Sequence, residues 1–233
     1  DGAVRLWDTT SYQSLAVLEG HINTIAQFAV LGDGVTLASV GWDGTVRLWD
    51  TTRCQSLAVL EGHQHGVTQL AVLRDGVTLV SAGEEGIIRL WDTLSYKCLA
   101  VLEGHQNGVT DLAVLGDGVT LASAGRDGLV RLWDTNSYQC LALLDGHRGG
   151  VLKLAVLGNG MTLASAGRNG MIRLWDVSSH DCLSIMEGGQ FGITHLAVLG
   201  DGVTLASAGT GGRVPPDRRR RGRSRCAAGT AVQ

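Results

Sequence analysis

The sequence predicts an all-β protein built from repeated four-stranded units, and three observations carry that prediction. Tryptophan returns every 42 residues, at Trp7, Trp49, Trp91, Trp133 and Trp175, each time preceded by Leu and followed by Asp. A period near 40 residues without helical apolar spacing belongs to stacked or radially arranged β units. Glycine is frequent at 34 residues and proline nearly absent at two, the composition of many short strands joined by tight turns.

Within one period, "GVTDLAVL" (Gly108–Leu115), "GVTLASAG" (Gly118–Gly125), "LVRLWD" (Leu129–Asp134) and "QCLALLDG" (Gln139–Gly146) each have strand length. "GDG" at Gly116–Gly118 and "RDG" at Arg126–Gly128 separate the first three, with residues that accept the positive φ of tight hairpins. "TNSY" at Thr135–Tyr138 makes the third connection. The strands are apolar at nearly every position rather than alternating, so both faces of each sheet are expected to be covered. Val130 and Leu132 are then packing residues between neighbouring sheets, while Gly125 and Gly128 serve the turn.

Four complete units are flanked by two halves. The N-terminus supplies a third and fourth strand (about residues 3–18), and the C-terminus a first and second (about residues 192–208). The chain therefore begins and ends inside a repeat, as a fragment of a longer protein would. After Gly209 the pattern gives way to a segment holding both prolines and seven Arg against one Asp between Arg213 and Arg225, a local charge of +6. Residues 1–212 keep 12 Lys and Arg against 21 Asp and Glu, or −9, within an overall −3. Residues 1–212 read as the repeat domain and 213–233 as a disordered Arg-rich tail. The acidic body argues against nonspecific nucleic-acid binding by the folded part.

Gly-His pairs at Gly20-His21, Gly62-His63, Gly104-His105 and Gly146-His147 keep the same 42-residue step, as do Ser39, Ser81, Ser123, Ser165 and Ser207. Together with the acidic turn and the closing Trp-Asp, these residues resemble the WD40 repeat family over about residues 1–212. The resemblance implies a β-propeller with four complete blades and complementary half-blades, a five-blade equivalent or an arc of a larger ring. It also implies a buried polar network of His, Ser, Asp and Trp in each blade. In this sequence the network falls on His21, Ser39, Asp43 and Trp49; on His63, Ser81, Glu85 and Trp91, with a longer acid; on His105, Ser123, Asp127 and Trp133; and on His147, Ser165, Asn169 and Trp175, with an amide for the acid. In the last unit Gly189, Gly211 and Asp217 stand where His, Asp and Trp belong, so stability is expected to decline toward the C-terminus.

The same resemblance implies a noncatalytic scaffold that recognises a protein or peptide on its top face. Ser123, His105 and Asp127 have the side chains of a hydrolase triad, but the set recurs in every good repeat and ends on a Trp, where a nucleophile is unique and exposed. No G-x-S-x-G elbow, Walker loop, H-E-x-x-H or EF-hand spacing occurs. His65, His180 and His195 lie outside the network without ligand-like spacing, so neither a metal nor a cofactor is expected. Five cysteines without a C-x-x-C pair read as thiols of a reducing compartment, and no apolar run is long enough to span a bilayer. The expected location is cytoplasmic, or nuclear if the Arg run acts as an import signal.

Variation among the repeats points to the recognition residues. The position before the network acid reads Trp42, Glu84, Arg126, Arg168 and Thr210, and the segment after Gly-His contributes Asn23, His65, Asn107, Arg148 and Phe191. Both sets lie at the same end of the strands, on turns of a rigid scaffold where recognition tends to reside. Trp42 and Phe191 would be apolar anchors; Arg126, Arg148 and Arg168 would favour an acidic partner. Two other readings stay open: a sensor or targeting segment of a larger signalling ATPase, and nucleic-acid association through the tail. Exposed half-blades would also favour self-association.

Overall fold

A computed structural model describes residues 2–189 and 191–210. It is all-β. β1 (Ala3–Asp8) and β2 (Gln13–Glu19) form a two-stranded antiparallel sheet. Four four-stranded sheets follow in order along the chain. The first holds β3 (Ile25–Val30), β4 (Thr36–Gly41), β5 (Val46–Asp50) and β6 (Gln55–Leu60); the second, β7 (Val67–Val72), β8 (Thr78–Gly83), β9 (Ile88–Asp92) and β10 (Lys97–Leu102). The third holds β11 (Val109–Val114), β12 (Thr120–Gly125), β13 (Val130–Asp134) and β14 (Cys140–Leu144); the fourth, β15 (Val151–Val156), β16 (Thr162–Gly167), β17 (Met171–Asp176) and β18 (Cys182–Glu187). β19 (Ile193–Val198) and β20 (Leu205–Gly209) end the described chain as a second two-stranded sheet. Strands neighbouring in sequence pair throughout, so each four-stranded sheet is one meandering blade.

The chain divides into two compact units, Asp1–Val109 and Thr110–Gln233. In the first unit, Val40, Val46 and Leu48 of one blade close on Val67, Leu70, Leu79 and Trp91 of the next. In the second, Ala124, Val130 and Leu132 meet Val151, Leu154, Leu163 and Trp175 in the same way. Such face-to-face packing explains why the second strand of each blade is apolar or small at every position: β4, β8, β12 and β16 are buried along nearly their whole length. The fourth strands depart from the expectation of two covered faces. β6, β10 and β14 expose side chains on one face, including Leu57, Val59, Leu99, Val101, Leu141 and Leu143, so that face of each fourth strand is left uncovered.

The turns are held by side chains as well as by glycine. Gly118 and Gly128 take φ of 77° and 85°, as the hairpins require. In the first connection of a blade, Asp33 accepts from the backbone of Val35 (2.9 Å) and Thr36 (2.8 Å), and Asp117 repeats this with Val119 (3.0 Å) and Thr120 (2.9 Å). The Asp after each Trp does the same for the third connection: Asp50 accepts from Thr52 and Arg53, and these bonds hold its carboxyl down at about 2. That connection places Tyr12, Cys54, Tyr96, Tyr138 and His180 at positive φ, a non-glycine conformation that composition did not announce. Cys54, Cys98 and Cys140 are free thiols.

Candidate interaction face

The polar chain of the first blade runs from its core to its rim. The Trp49 indole can only donate, and does so to Ser39 Oγ at 2.8 Å. The Ser39 hydroxyl then donates to His21 Nε2 at 2.8 Å, which leaves the Nδ1–H of His21 for Asp43, whose carboxylate oxygens lie 2.9 and 3.1 Å away. Asp43 also accepts from the Thr45 amide (3.0 Å) and hydroxyl (2.8 Å) and from the Ile22 amide (3.0 Å), tying the turn after β4 to the segment before β3. Burial pushes the Asp43 carboxyl up, but the Thr45 bonds and His21 outweigh it and hold it below the ordinary carboxylate range.

The other blades keep the core of this chain and vary its outer end. Trp91, Trp133 and Trp175 donate to Ser81, Ser123 and Ser165 at 2.7 to 2.8 Å. His63 bridges Ser81 (2.8 Å) and Glu85, and His65 Nδ1 stands 3.8 Å from the other Glu85 oxygen. Burial pulls the His63 imidazole below its ordinary value although Glu85 opposes it. His105 is buried, and Asp127 pairs with Arg131 at 3.0 Å. His147 reaches Ser165 at 2.7 Å, but its buried Nδ1 makes no hydrogen bond of good geometry, and Asn169 stands where the other blades carry an acid. Burial, with the Arg173 charge second and only weak opposition from Asn169, pushes His147 down to about 4. The serines of all four blades are fully buried, a poor place for a nucleophile.

The variable residues lie outside this network. Asn23, Trp42, His65 and Asn107 in the first unit, and Arg126, Arg148, Arg168 and Phe191 in the second, are exposed; Glu84 is half-buried. Their backbone is nevertheless fixed: Trp42 N donates to Thr24 O (3.0 Å), Glu84 N to Gly66 O (3.0 Å), Arg168 N to Gly150 O (2.9 Å) and Thr210 N to Gly192 O (3.1 Å). The two variable segments of a repeat are thus bonded to each other within each unit. Gly66, Gly150 and Gly192 also allow the turn of the preceding blade to pass close by. A Cβ at Gly150 would stand 3.2 Å from the Arg126 Cα, and one at Gly66 2.7 Å from the Trp42 ring.

Sequence reasoning missed one recurring residue. Arg47, Arg89 and Arg173, two positions before the Trp, lie against the glycine of the Gly-His pair: Arg89 Nη2 donates to Gly62 O (2.9 Å) and Arg173 Nη2 to Gly146 O (2.7 Å). A Cβ at Gly20 would approach Arg47 Nη1 to 2.7 Å and the Trp49 ring to 3.1 Å. The signal was present in the period, since Arg5, Arg47, Arg89, Arg131 and Arg173 keep the 42-residue step. Side chains on the first strands were missed too. Gln27 exchanges hydrogen bonds with both backbone groups of Leu70 (2.8 and 3.2 Å), and Asp111 accepts from Leu154 N (2.8 Å) and pairs with Lys153 (3.3 Å), each clasping one blade to the next. Among the described residues no cluster of His, Cys, Asp and Glu could hold a metal ion. Gly211, Asp217 and the Arg-rich segment 213–233 lie outside the described residues.

Meandering four-stranded blades, each pinned by a Trp indole donating to a buried Ser and ending in chemically variable turns, define a repeat protein of the propeller-blade class. The family model for the WD domain, G-beta repeat, matches four times, over residues 12–50, 54–92, 96–134 and 138–176. The chain belongs to the WD40 repeat family. No curated protein matches it closely enough to be named as a relative.

Proposed function

We propose that this chain is a noncatalytic interaction module whose partner, a protein or peptide, is read by the turns before the network acid and after Gly-His. WD40 repeats are generally protein-interaction scaffolds, and the observation that carries the finer reading is the contrast within each repeat. Residues that differ between repeats are exposed, or half-buried at Glu84, on backbone held by cross-turn hydrogen bonds, while the recurring Ser and Trp of the four blades are buried. Binding to such a surface orders little additional chain, so contact energy is not spent on fixing loops. The turns of the first unit offer an aromatic ring, Trp42, beside amide and imidazole groups; those of the second offer Arg126, Arg148 and Arg168 with Phe191. The second set suits a carboxylate-bearing partner.

The test is a triple substitution, Trp42→Ala with Arg126→Ala and Arg168→Ala, assayed by affinity capture and thermal melting. Captured partners should be lost while the melting temperature stays within the few degrees expected of surface changes. Retention of every partner, or loss of partners together with the fold, contradicts the assignment.

A further inference from the structure

Three asparagines of the chain are followed by glycine: Asn107, Asn159 and Asn169. Such a pair is prone to cyclise, because a residue without a Cβ leaves its amide nitrogen open to the side-chain carbonyl carbon before it. Asn159 and Asn169 are both followed by Gly-Met, so as unfolded peptides they share their local chemistry. Asn107 lies on an exposed variable turn, outside the buried network.

The fold sets Asn159 and Asn169 apart. Both sit in hairpin turns of the fourth blade, Asn159 between β15 and β16 and Asn169 between β16 and β17, with the following glycine at φ of 71° and 73°. Asn159 is tied at both ends of its amide: Oδ1 accepts from Met161 N (3.0 Å) and Thr162 N (2.9 Å), and Nδ2 donates to Thr162 Oγ1 (2.9 Å). Gly160 N donates to Leu157 O at 2.8 Å. The bonds at Asn169 are longer: its Oδ1 accepts from Met171 N at 3.3 Å, and Gly170 N donates to Gly167 O at 3.1 Å. Freeing the side chain and the amide nitrogen for reaction therefore breaks less at Asn169.

The product of that reaction is the group the fourth blade lacks. Asn169 stands three periods after Asp43, as Gly167, His147 and Arg148 stand three periods after Gly41, His21 and Ile22. A Cβ at Gly41 would lie 2.9 Å from His21 Nδ1 and 3.1 Å from Asp43 Oδ1; one at Gly167 would lie 2.5 Å from His147 Nδ1 and 2.7 Å from Asn169 Oδ1. The amide thus occupies the place of the acid, beside an imidazole whose buried Nδ1 lacks a hydrogen bond of good geometry. A carboxylate there accepts from that nitrogen as Asp43 does from His21 at 2.9 Å, and more strongly than a neutral amide can.

We propose that Asn169 is a site of spontaneous deamidation whose product completes the buried polar chain of the fourth blade. The Gly170 amide nitrogen attacks Asn169 Cγ, and the side-chain nitrogen leaves as ammonia, carrying the proton that the Gly170 amide gives up. Water then adds at Cγ of the cyclic imide and breaks its bond to the Gly170 nitrogen, which regains a proton while the side chain is left as a carboxylic acid that ionises. Asparagine and water are consumed, aspartate and ammonia are formed, and nothing is oxidised or reduced. Opening at the main-chain carbonyl would instead route the backbone through Cγ as isoaspartate. The hairpin, with Gly170 N bonded to Gly167 O and Gly188 N to Gly170 O (2.9 Å), keeps its register only after opening at Cγ.

Ageing the purified full chain at neutral pH, with timed peptide mapping by mass spectrometry, tests the proposal. Asn169 should convert at least several-fold faster than Asn159, while synthetic peptides of the two sites convert at similar rates. The product should be mainly aspartate, told from isoaspartate by fragmentation. As it accumulates, the thermal melt at pH 5 should move to that of the Asn169→Asp variant. Asn169→Ser, which cannot form the imide, should age without that shift. An Asn169 that survives or converts no faster than Asn159, a product that is wholly isoaspartate, or a melt that stays put while Asn169 converts overturns the proposal.

Discussion

The first and fourth blades end their buried polar chains differently. In both, an indole donates to a serine and the serine meets a histidine, at 2.7 to 2.8 Å throughout. In the first blade His21 donates its remaining N–H to Asp43; in the fourth the same nitrogen of His147 lacks a bond beside Asn169. The inner half of the chain keeps its geometry without the acid. The acid therefore governs energetics, and above all the response to protons, more than shape.

Removing what the two blades share should cost the same in each. Trp49→Ala and Trp175→Ala each delete an indole that is 2–3% exposed, and each should lower the stability of its unit by about 3 to 5 kcal/mol in denaturant titrations. A large inequality would mean that the outer ends of the chains, not the cores, set blade stability.

Acidification should separate the blades. The folded pKa of His147, about 4, lies below the ordinary 6.5, so between those values the unfolded chain binds a proton that the folded blade refuses. Stability is then complete above pH 6.5 and is lost as pH falls toward 4, by up to roughly 3 kcal/mol at 1.36 kcal/mol per unit. His63 is shifted in the same direction and should add to the loss. Asp43, lowered instead, protects the first blade until the pH falls below the ordinary carboxylate value near 3.8. Stability measured from pH 7 down to 4 checks the sign.

Exchanging the acids gives a smaller effect. Asp43→Asn should cost the first unit about 1 kcal/mol by replacing the charged acceptor of the buried His21 N–H with a neutral amide oxygen. Asn169→Asp should gain the second unit about 1 kcal/mol at pH 7 and flatten its acid response. Thermal melts of both variants at two pH values read the difference.

Most of the architecture was legible because one period wrote it five times. Gly108–Leu115 and Leu129–Asp134, read as strands, coincide with β11 and β13 to within a residue or two. The Ser–Trp contact was within reach of sequence, since a buried indole must find an acceptor and Ser recurs ten residues before every blade Trp. The recurrence of Arg47 and its counterparts was equally visible in the period, but not their role, because an Arg on an apolar strand looks like a solvent-facing residue until the glycine beside it is seen. Nor were the positive φ of Tyr12 and Tyr138, whose cause is the preceding Asp cap rather than their own chemistry. The variable turns stood out by comparing repeats, but the hydrogen bonds that hold them, such as Trp42 N to Thr24 O, join segments 18 residues apart and leave no local signal.

The central claim is that a shared buried chain holds each blade rigid beneath its variable turns, and that the acid at its end decides how firmly. Amide hydrogen exchange at pH 7 and pH 5, corrected for intrinsic rates, tests it most directly. Protection of β16 and β17 should fall on acidification while that of β4 and β5 holds, and Asn169→Asp should abolish the fall. Equal loss in both blades, or no loss in either, would contradict it.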